Sequence, residues 1–180
     1  MKLNIQDNFL AEEEFIALRN TIITDSFPWY FSPTTVDKSR EKETTPGLFV
    51  HAVYYESMPC SKFLPLFEHI LDRMNVEILL RIKLNLQPRL PEPEFSTFHS
   101  DTIDFVENLA AQWTTSILYI NTNNGYTELK DGTKIESIAN RLVSFPSNIE
   151  HRGVTQTDEQ TRIIVNFNYL TSVYRKVQGN

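Results

Sequence analysis

The chain holds a single cysteine, Cys60, among 180 residues, which excludes an internal disulfide framework. No apolar run approaches the ~20 residues a membrane-crossing helix needs, so a spanning segment is not expected. Positive charge is in deficit as well: 17 Lys and Arg stand against 23 Asp and Glu, a formal charge of −6. General nucleic-acid binding is thereby disfavoured, because such affinity rests on basic side chains neutralising phosphates. A local basic patch is still compatible with that balance. There is no internal repeat and no low-complexity stretch. After Met1, "KLNIQDNFLAEEEF" lacks the apolar core of a signal peptide, which together with the lone thiol points to a reduced, intracellular, cytoplasmic setting. Nothing near Cys60 in the sequence would activate its thiol, and it is assigned no role.

What is present is an ordinary globular balance, with 41% hydrophobic and 22% charged residues. The length suits one domain over 1–180, with a helical part and a lid-like loop in 1–75 and a β core in 76–170. In "FLAEEEFIALRNTII", Phe15, Leu18 and Ile22 fall on one helical stripe, with Glu12 to Glu14 at the favourable end of the dipole. A second helix is predicted in "SKFLPLFEHILDRM", where Phe63, Leu66, Phe67, Ile70, Leu71 and Met74 recur at helical spacing and Pro65 fits only in the first turn. Between them "FPWYFSPTTVDKSREKETTPG" reads as irregular chain with room for one short strand. It would serve as a lid, Trp29 and Tyr30 offering flat apolar contacts and Arg40 or Lys42 charge, unless Trp29 and Tyr30 are simply packed.

"LFVHAVYYES" alternates like a strand, and from residue 76 short β-branched and aromatic segments follow one another: "VEILLRIKLNL", "EFSTFH", "QWTTSILYIN", "GYTEL", "TKIES", "RLVSFP" and "TRIIVNFNYL". Asp131-Gly132 supplies a hairpin signal. Regular spacing of this kind predicts an antiparallel sandwich, jelly roll or barrel with the N-terminal helices packed against it. Side-chain parity sharpens the expectation. Ile78, Leu80, Ile82, Leu84 and Leu86 share one face, and Arg81, Lys83 and Asn85 the other. Likewise Ile163, Val165, Phe167 and Tyr169 oppose Arg162, Asn166 and Asn168. Either the polar faces meet water, or they line the interior of a jelly roll whose apolar outer face is covered by the helices.

"FHSDTID" bears on that choice. Strand parity puts His99 and Asp101 on one side, whereas Asp104 lies at odd spacing. H-x-D alone is a weak motif, and a second histidine is needed to complete a two-His, one-carboxylate set with open positions. His51 lies within a strand and His69 on a helix, where packing or exposure is the ordinary role. His151 stands where the "RLVSFP" strand gives way to a polar loop. If the last strand folds back beside its neighbour, Arg162 faces the same cavity, and a fixed guanidinium there suits the carboxylate of a metal chelator.

The run from "FHSD" through "WTTSILYIN", "NGYTEL" and "ANRLVSFPSNIEHRGVTQTDEQTRIIVNFNYL" resembles the Fe(II)- and 2-oxoglutarate-dependent oxygenases, most closely the prolyl-4-hydroxylase-like branch and its short viral or bacterial members. The resemblance implies a double-stranded β-helix, or jelly-roll, core. It makes His99, Asp101 and His151 the iron ligands and pairs Arg162 with the distal carboxylate of 2-oxoglutarate. Tyr119 would place its hydroxyl on that carboxylate, with core packing as the other reading, and Thr127 and Asn85 would line the cosubstrate pocket. Relatives commonly show two adjacent glycines where this chain has Asn124-Gly125-Tyr126, and eleven positions separate His151 from Arg162. The implied reaction consumes O2 and 2-oxoglutarate, releases succinate and CO2, and hydroxylates a C–H bond of an unidentified peptide or small molecule, a peptidyl proline being the nearest guess. For a viral member the compartment would be a host cytoplasm. Two other readings stay open: a degenerate jelly roll that binds without turnover, and a cupin-like metalloenzyme that does not use 2-oxoglutarate.

Overall fold

The computed structural model describes residues 2–33, 47–101 and 111–171. Arg40, Lys42 and Asp104 lie outside the described residues, as does most of the expected lid. In chain order the elements are β1 (Asn4–Gln6), α1 (Glu12–Ile22), β2 (Tyr30–Ser32), β3 (Leu48–Tyr55), β4 (Met58–Pro59), a 3-10 turn (Leu64–Phe67) and α2 (Glu68–Arg73). There follow β5 (Val76–Pro88), β6 (Thr114–Tyr119), β7 (Tyr126–Leu129), β8 (Lys134–Glu136), β9 (Leu142–Pro146), β10 (His151–Val154) and β11 (Thr161–Thr171). No helix among the described residues is long and apolar enough to cross a membrane.

The strands form two antiparallel sheets. The larger has the order β1-β9-β6-β11-β5-β3-β2, with β4 hairpinned onto β3, and the smaller has the order β10-β7-β8. Single bridges from Phe95 to Val154 and from His99 to His151 lay the segment 95–99 along the outer edge of β10. Two facing sheets with helices on the outside of one are the jelly-roll core that the strand spacing predicts. β5 and β11, the longest strands, pair at the centre of the large sheet.

Parity divides that central pair between two cores. Ile82, Leu84, Ile163, Val165 and Phe167 pack outward with Phe15, Leu18 and Ile22 of α1 and with Phe67 and Ile70. The ring of Phe67 meets that of Phe167 edge-on at 6.0 Å. A smaller cluster, Ile117, Tyr119, Leu129, Ile135, Val143, Phe145 and Ile164, joins the sheets from inside. The polar faces of β5 and β11 therefore look into the jelly roll and not into water.

Several local expectations are corrected. α1 forms where its stripe predicts, with the Ala11 amide donating to the Glu14 carboxylate at 3.1 Å. The second helix is shorter than its periodicity suggests, because Pro65 sits in a 3-10 turn and regular α-helix starts only at Glu68. In β5 a register shift after Arg81 pairs Leu79, not Leu80, with Tyr169. Leu79 then packs on the helix-covered core, while Ile78 is exposed. "EFSTFH" makes bridges without becoming a strand. In the β7–β8 connection only Gly132 takes positive φ, at 88°, so the link is a longer glycine-dependent loop and not a two-residue primed turn. Trp29 packs against the core, whereas Tyr30 is 62% exposed.

Candidate active site

Two backbone hydrogen bonds build the centre of the site. The amide of His99 donates to the carbonyl of His151 at 3.0 Å, and the amide of His151 returns the bond to His99 at 2.8 Å. Residues that exchange both bonds in an antiparallel pair carry their side chains on the same face, and the two imidazoles stand 4.7 Å apart. Asp101, two residues along the same extended segment, joins them. One ligating atom each from His99, Asp101 and His151 lie within 4.8 Å of one another, with His151 Nε2 at 3.8 Å from Asp101 Oδ2.

The tautomers follow from the backbone. His99 Nδ1 lies 3.0 Å from the carbonyl of Thr97, and His151 Nδ1 lies 3.1 Å from that of Ile149. A carbonyl only accepts, so both Nδ1 atoms carry a proton and both Nε2 lone pairs are free toward the carboxylate. This orientation of a metal-binding histidine by a partner on its other nitrogen is the usual one. Burial, followed by the neighbouring His151, pushes the His99 imidazole below its ordinary pKa and favours its neutral form.

Asp101 is held from several sides. Arg81 Nη2 donates to Oδ1 at 2.6 Å, and the side-chain amides of Asn166 and Asn168 donate to Oδ2 at 3.1 and 3.3 Å. The Thr115 hydroxyl sits 3.2 Å from the same oxygen and 2.9 Å from Ser147 Oγ. Arg81 Nε in turn donates to Asn168 Oδ1 at 2.8 Å. Burial alone would raise the carboxyl pKa, but Arg81 and the two histidines hold it far below the ordinary carboxylate range. The group is thus fixed as an anion and an acceptor.

From this cluster a cavity of about 100 Å³ runs between the sheets, lined by His99, His151, Asn85, Asn166, Thr127 and Arg162 among others. At its far end Arg162, 7% exposed, donates from Nε to Ser137 Oγ at 2.8 Å and from Nη2 to Thr127 Oγ1 at 3.2 Å. The Tyr119 ring lies 5.6 Å from the guanidinium, and its hydroxyl donates to Thr127 Oγ1 at 2.7 Å. Arg162 forms no ion pair among the described residues. A buried charge left with neutral partners costs several kcal/mol, so the arrangement calls for an anion.

Two glycines make room at that end. A Cβ on Gly125 would stand 2.8 Å from the Val154 carbonyl oxygen and 2.9 Å from Arg162 Cδ. Any side chain at this position would press on both. A Cβ on Gly153 would sit 3.8 Å from Arg162 Nη1, in cavity space that a ligand carboxylate could use. Three buried polar atoms on the cavity wall, Asn85 Oδ1, Gln87 Nε2 and Asn166 Oδ1, have no hydrogen-bond partner among the described residues.

The structure brings together the seven residues that the family resemblance singled out: His99, Asp101 and His151 at one end, Arg162, Tyr119 and Thr127 at the other, and Asn85 on the wall between. Tyr119 reaches Thr127 rather than standing alone. His51 is buried between the Pro28 carbonyl at 2.7 Å and Ser61 Oγ at 2.8 Å, and His69 is exposed. Sequence reasoning gave no role to Arg81, Asn168, Thr115 or Ser137. Parity had already put Arg81 and Asn168 on polar faces, and that was the one available signal.

No family model matches the sequence, and no curated protein matches it. Solved structures do. A prolyl-4-hydroxylase from Pseudomonas putida superposes with a TM-score of 0.60 at 16% identity, covering 95% of this chain and 93% of its own. The chain has the fold of the 2-oxoglutarate–Fe(II) oxygenases. A prolyl hydroxylase from Trichoplax adhaerens, solved with a hypoxia inducible factor oxygen degradation domain peptide fragment, matches at a TM-score of 0.61 and 16% identity over 99% and 87% of the two chains. HygX from Streptomyces hygroscopicus, solved with nickel and 2-oxoglutarate, shares this oxygenase fold at a TM-score of 0.61 and 8% identity over 95% and 83%.

Proposed function

We propose that the protein is an Fe(II)- and 2-oxoglutarate-dependent dioxygenase. The observation that carries this reading is a two-His, one-Asp cluster opening onto the same cavity as a buried arginine that has no counter-ion among the described residues. The donor set fits iron: the three groups gather on one side and leave other positions open, the usual arrangement for non-haem Fe(II) oxygenases. The far end fits a carboxylate, since Arg162 lacks an anion and Gly153 leaves space before it. A cupin-like metalloenzyme without 2-oxoglutarate would leave Arg162 dispensable, and the intact donor set together with Arg162 counts against a non-catalytic module.

Bound iron would supply, with O2 and 2-oxoglutarate, the oxidising power to hydroxylate a C–H bond, with release of succinate and CO2. The chain's own part is positioning. His99, Asp101 and His151 hold the metal, and Arg81, Asn166 and Asn168 keep the carboxylate aimed. Arg162 receives the distal carboxylate of 2-oxoglutarate as a charge-assisted, bidentate partner. Thr127 Oγ1 already accepts from Tyr119 and Arg162. Its own proton is therefore free to donate to the same carboxylate. Tyr119, kept protonated by burial, acts through Thr127. Asn85 and Gln87 line the cavity and would offer the cosubstrate polar atoms that lack partners among the described residues. The apolar side chains on the cavity wall, Leu48, Ile117, Val154 and Ile164, limit the water around the reacting groups.

A peptidyl proline is the substrate favoured by the fold likeness to prolyl hydroxylases, one of them solved with a peptide; a small molecule is the other candidate. The test is anaerobic addition of Fe(II) and then 2-oxoglutarate, with detection of the weak visible charge-transfer band of the chelate. The band is expected in the wild type. Its absence overturns the proposal, and a band with unchanged 2-oxoglutarate affinity in Arg162→Ala removes the role given to that residue.

A further inference from the structure

The inner face of β5 carries two cations in succession, and only one has a partner among the described residues. Arg81 is bonded to Asp101 and Asn168. Lys83 lies beside Asn166 of β11 and Ala52 of β3, is half-buried, and makes no ion pair or hydrogen bond with described residues. Burial, then the adjacent Arg81 guanidinium, drag its pKa down to about 8 against the pull of Asp101. Asp101 is the one buried carboxylate among the described residues, and Arg81 already occupies its Oδ1 at 2.6 Å. An ammonium in this position costs folding free energy unless something compensates it.

The compensation is not found in the components of the reaction proposed above, on which this inference rests. There, one end of 2-oxoglutarate meets the metal and the other meets Arg162. Metal ion, Arg81, Arg162 and Lys83 then outweigh the negative charge of Asp101 and the cosubstrate, and Lys83 is the cation to which neither the described residues nor the cosubstrate assigns a partner. A solvated lysine would need no explanation on an outer face. This one is on the inner face of the central strand pair, two residues from the arginine that bonds Asp101.

We propose that Lys83 is a specificity residue that holds an anionic group, a carboxylate or a phosphate, of the prime substrate. In a peptide substrate that group would be an acidic or phosphorylated residue flanking the oxidised proline, and in a small molecule a carboxylate or phosphate near the oxidised carbon; neutral analogues are discriminated against.

Small anions test this directly. The anaerobic protein loaded with Fe(II) and 2-oxoglutarate is titrated with acetate and, separately, with inorganic phosphate, while the visible band is followed. One of the two anions is expected to shift the band saturably, and which one does so separates the carboxylate from the phosphate source. Lys83→Met should weaken that binding about tenfold or more, the usual worth of a hydrogen bond to a charged group, and Lys83→Arg should largely retain it. Formation of the band by Lys83→Met with 2-oxoglutarate affinity within about twofold of wild type shows that the variant is folded and its cosubstrate site intact. The inference is overturned if neither anion shifts the band, if Lys83→Met leaves the shift unchanged, or if Lys83→Met loses 2-oxoglutarate as severely as Arg162→Ala does. Failure of the band to form in wild type is a different result, which removes the oxygenase reading itself.

Discussion

The two ends of the cavity are both built around a buried charge, yet they are finished differently. At one end Asp101 has a cation and several neutral donors within bonding distance, all supplied by the chain. At the other, Arg162 has two hydroxyls, those of Ser137 and Thr127, and no counter-ion among the described residues. The first end is complete as a folded structure before any ligand arrives. The second is complete only with an anion from outside. A charge that folding has satisfied can be held in place before its ligand arrives, whereas one that folding has left unsatisfied depends on the ligand for its counter-charge.

The largest effect separating the ends should come from Arg81. Arg81→Met strands the Asp101 carboxylate without its cation, and urea unfolding of the metal-free protein should show a loss of about 3–5 kcal/mol. Arg162→Met should do the reverse in the same assay, leaving stability unchanged or raised, because an uncompensated charge is removed. Its 2-oxoglutarate affinity, read by titration of the visible band, should fall about 100-fold, as expected for a charge-assisted bidentate contact. A destabilised Arg162→Met would erase the contrast.

A smaller effect is expected at Gly153. Gly153→Val fills the space before the guanidinium and should weaken 2-oxoglutarate by about tenfold with metal affinity untouched; isothermal titration with Mn(II) and with 2-oxoglutarate separates the two. The smallest lies outside the cavity. Burial lowers the pKa of His51, while its bond to the Pro28 carbonyl opposes the shift, so between its folded value and about 6.5 the unfolded chain binds more protons. Stability should therefore decline as pH falls through about 6.5. A plot of urea midpoint against pH should flatten in His51→Gln, and an unchanged slope would assign the acid limb to other groups.

Much of this was legible in the sequence because period-two patterning survives folding. The outward apolar face of β11, from Ile163 to Tyr169, packs on the helices as alternation predicts, and the same parity brings Arg162 inward. It also placed His99 and Asp101 side by side. What parity could not supply was partnership: Arg81 and Asp101 are twenty residues apart, and nothing local says that they bond. Nor could it foresee the register shift near Arg81, since a bulge is set by the neighbouring strand. Tyr119 shows the same limit, its hydroxyl finding Thr127 only once β6 and β7 face one another.

The reciprocal pair of amide–carbonyl bonds between His99 and His151 has a further consequence. A slide of the 95–101 segment by a single residue would turn His99 away from His151 and dismantle the cluster. An ion gripping both rings would act as a rivet on that alignment, slowing amide exchange along β10 and its edge segment far more than elsewhere in the smaller sheet.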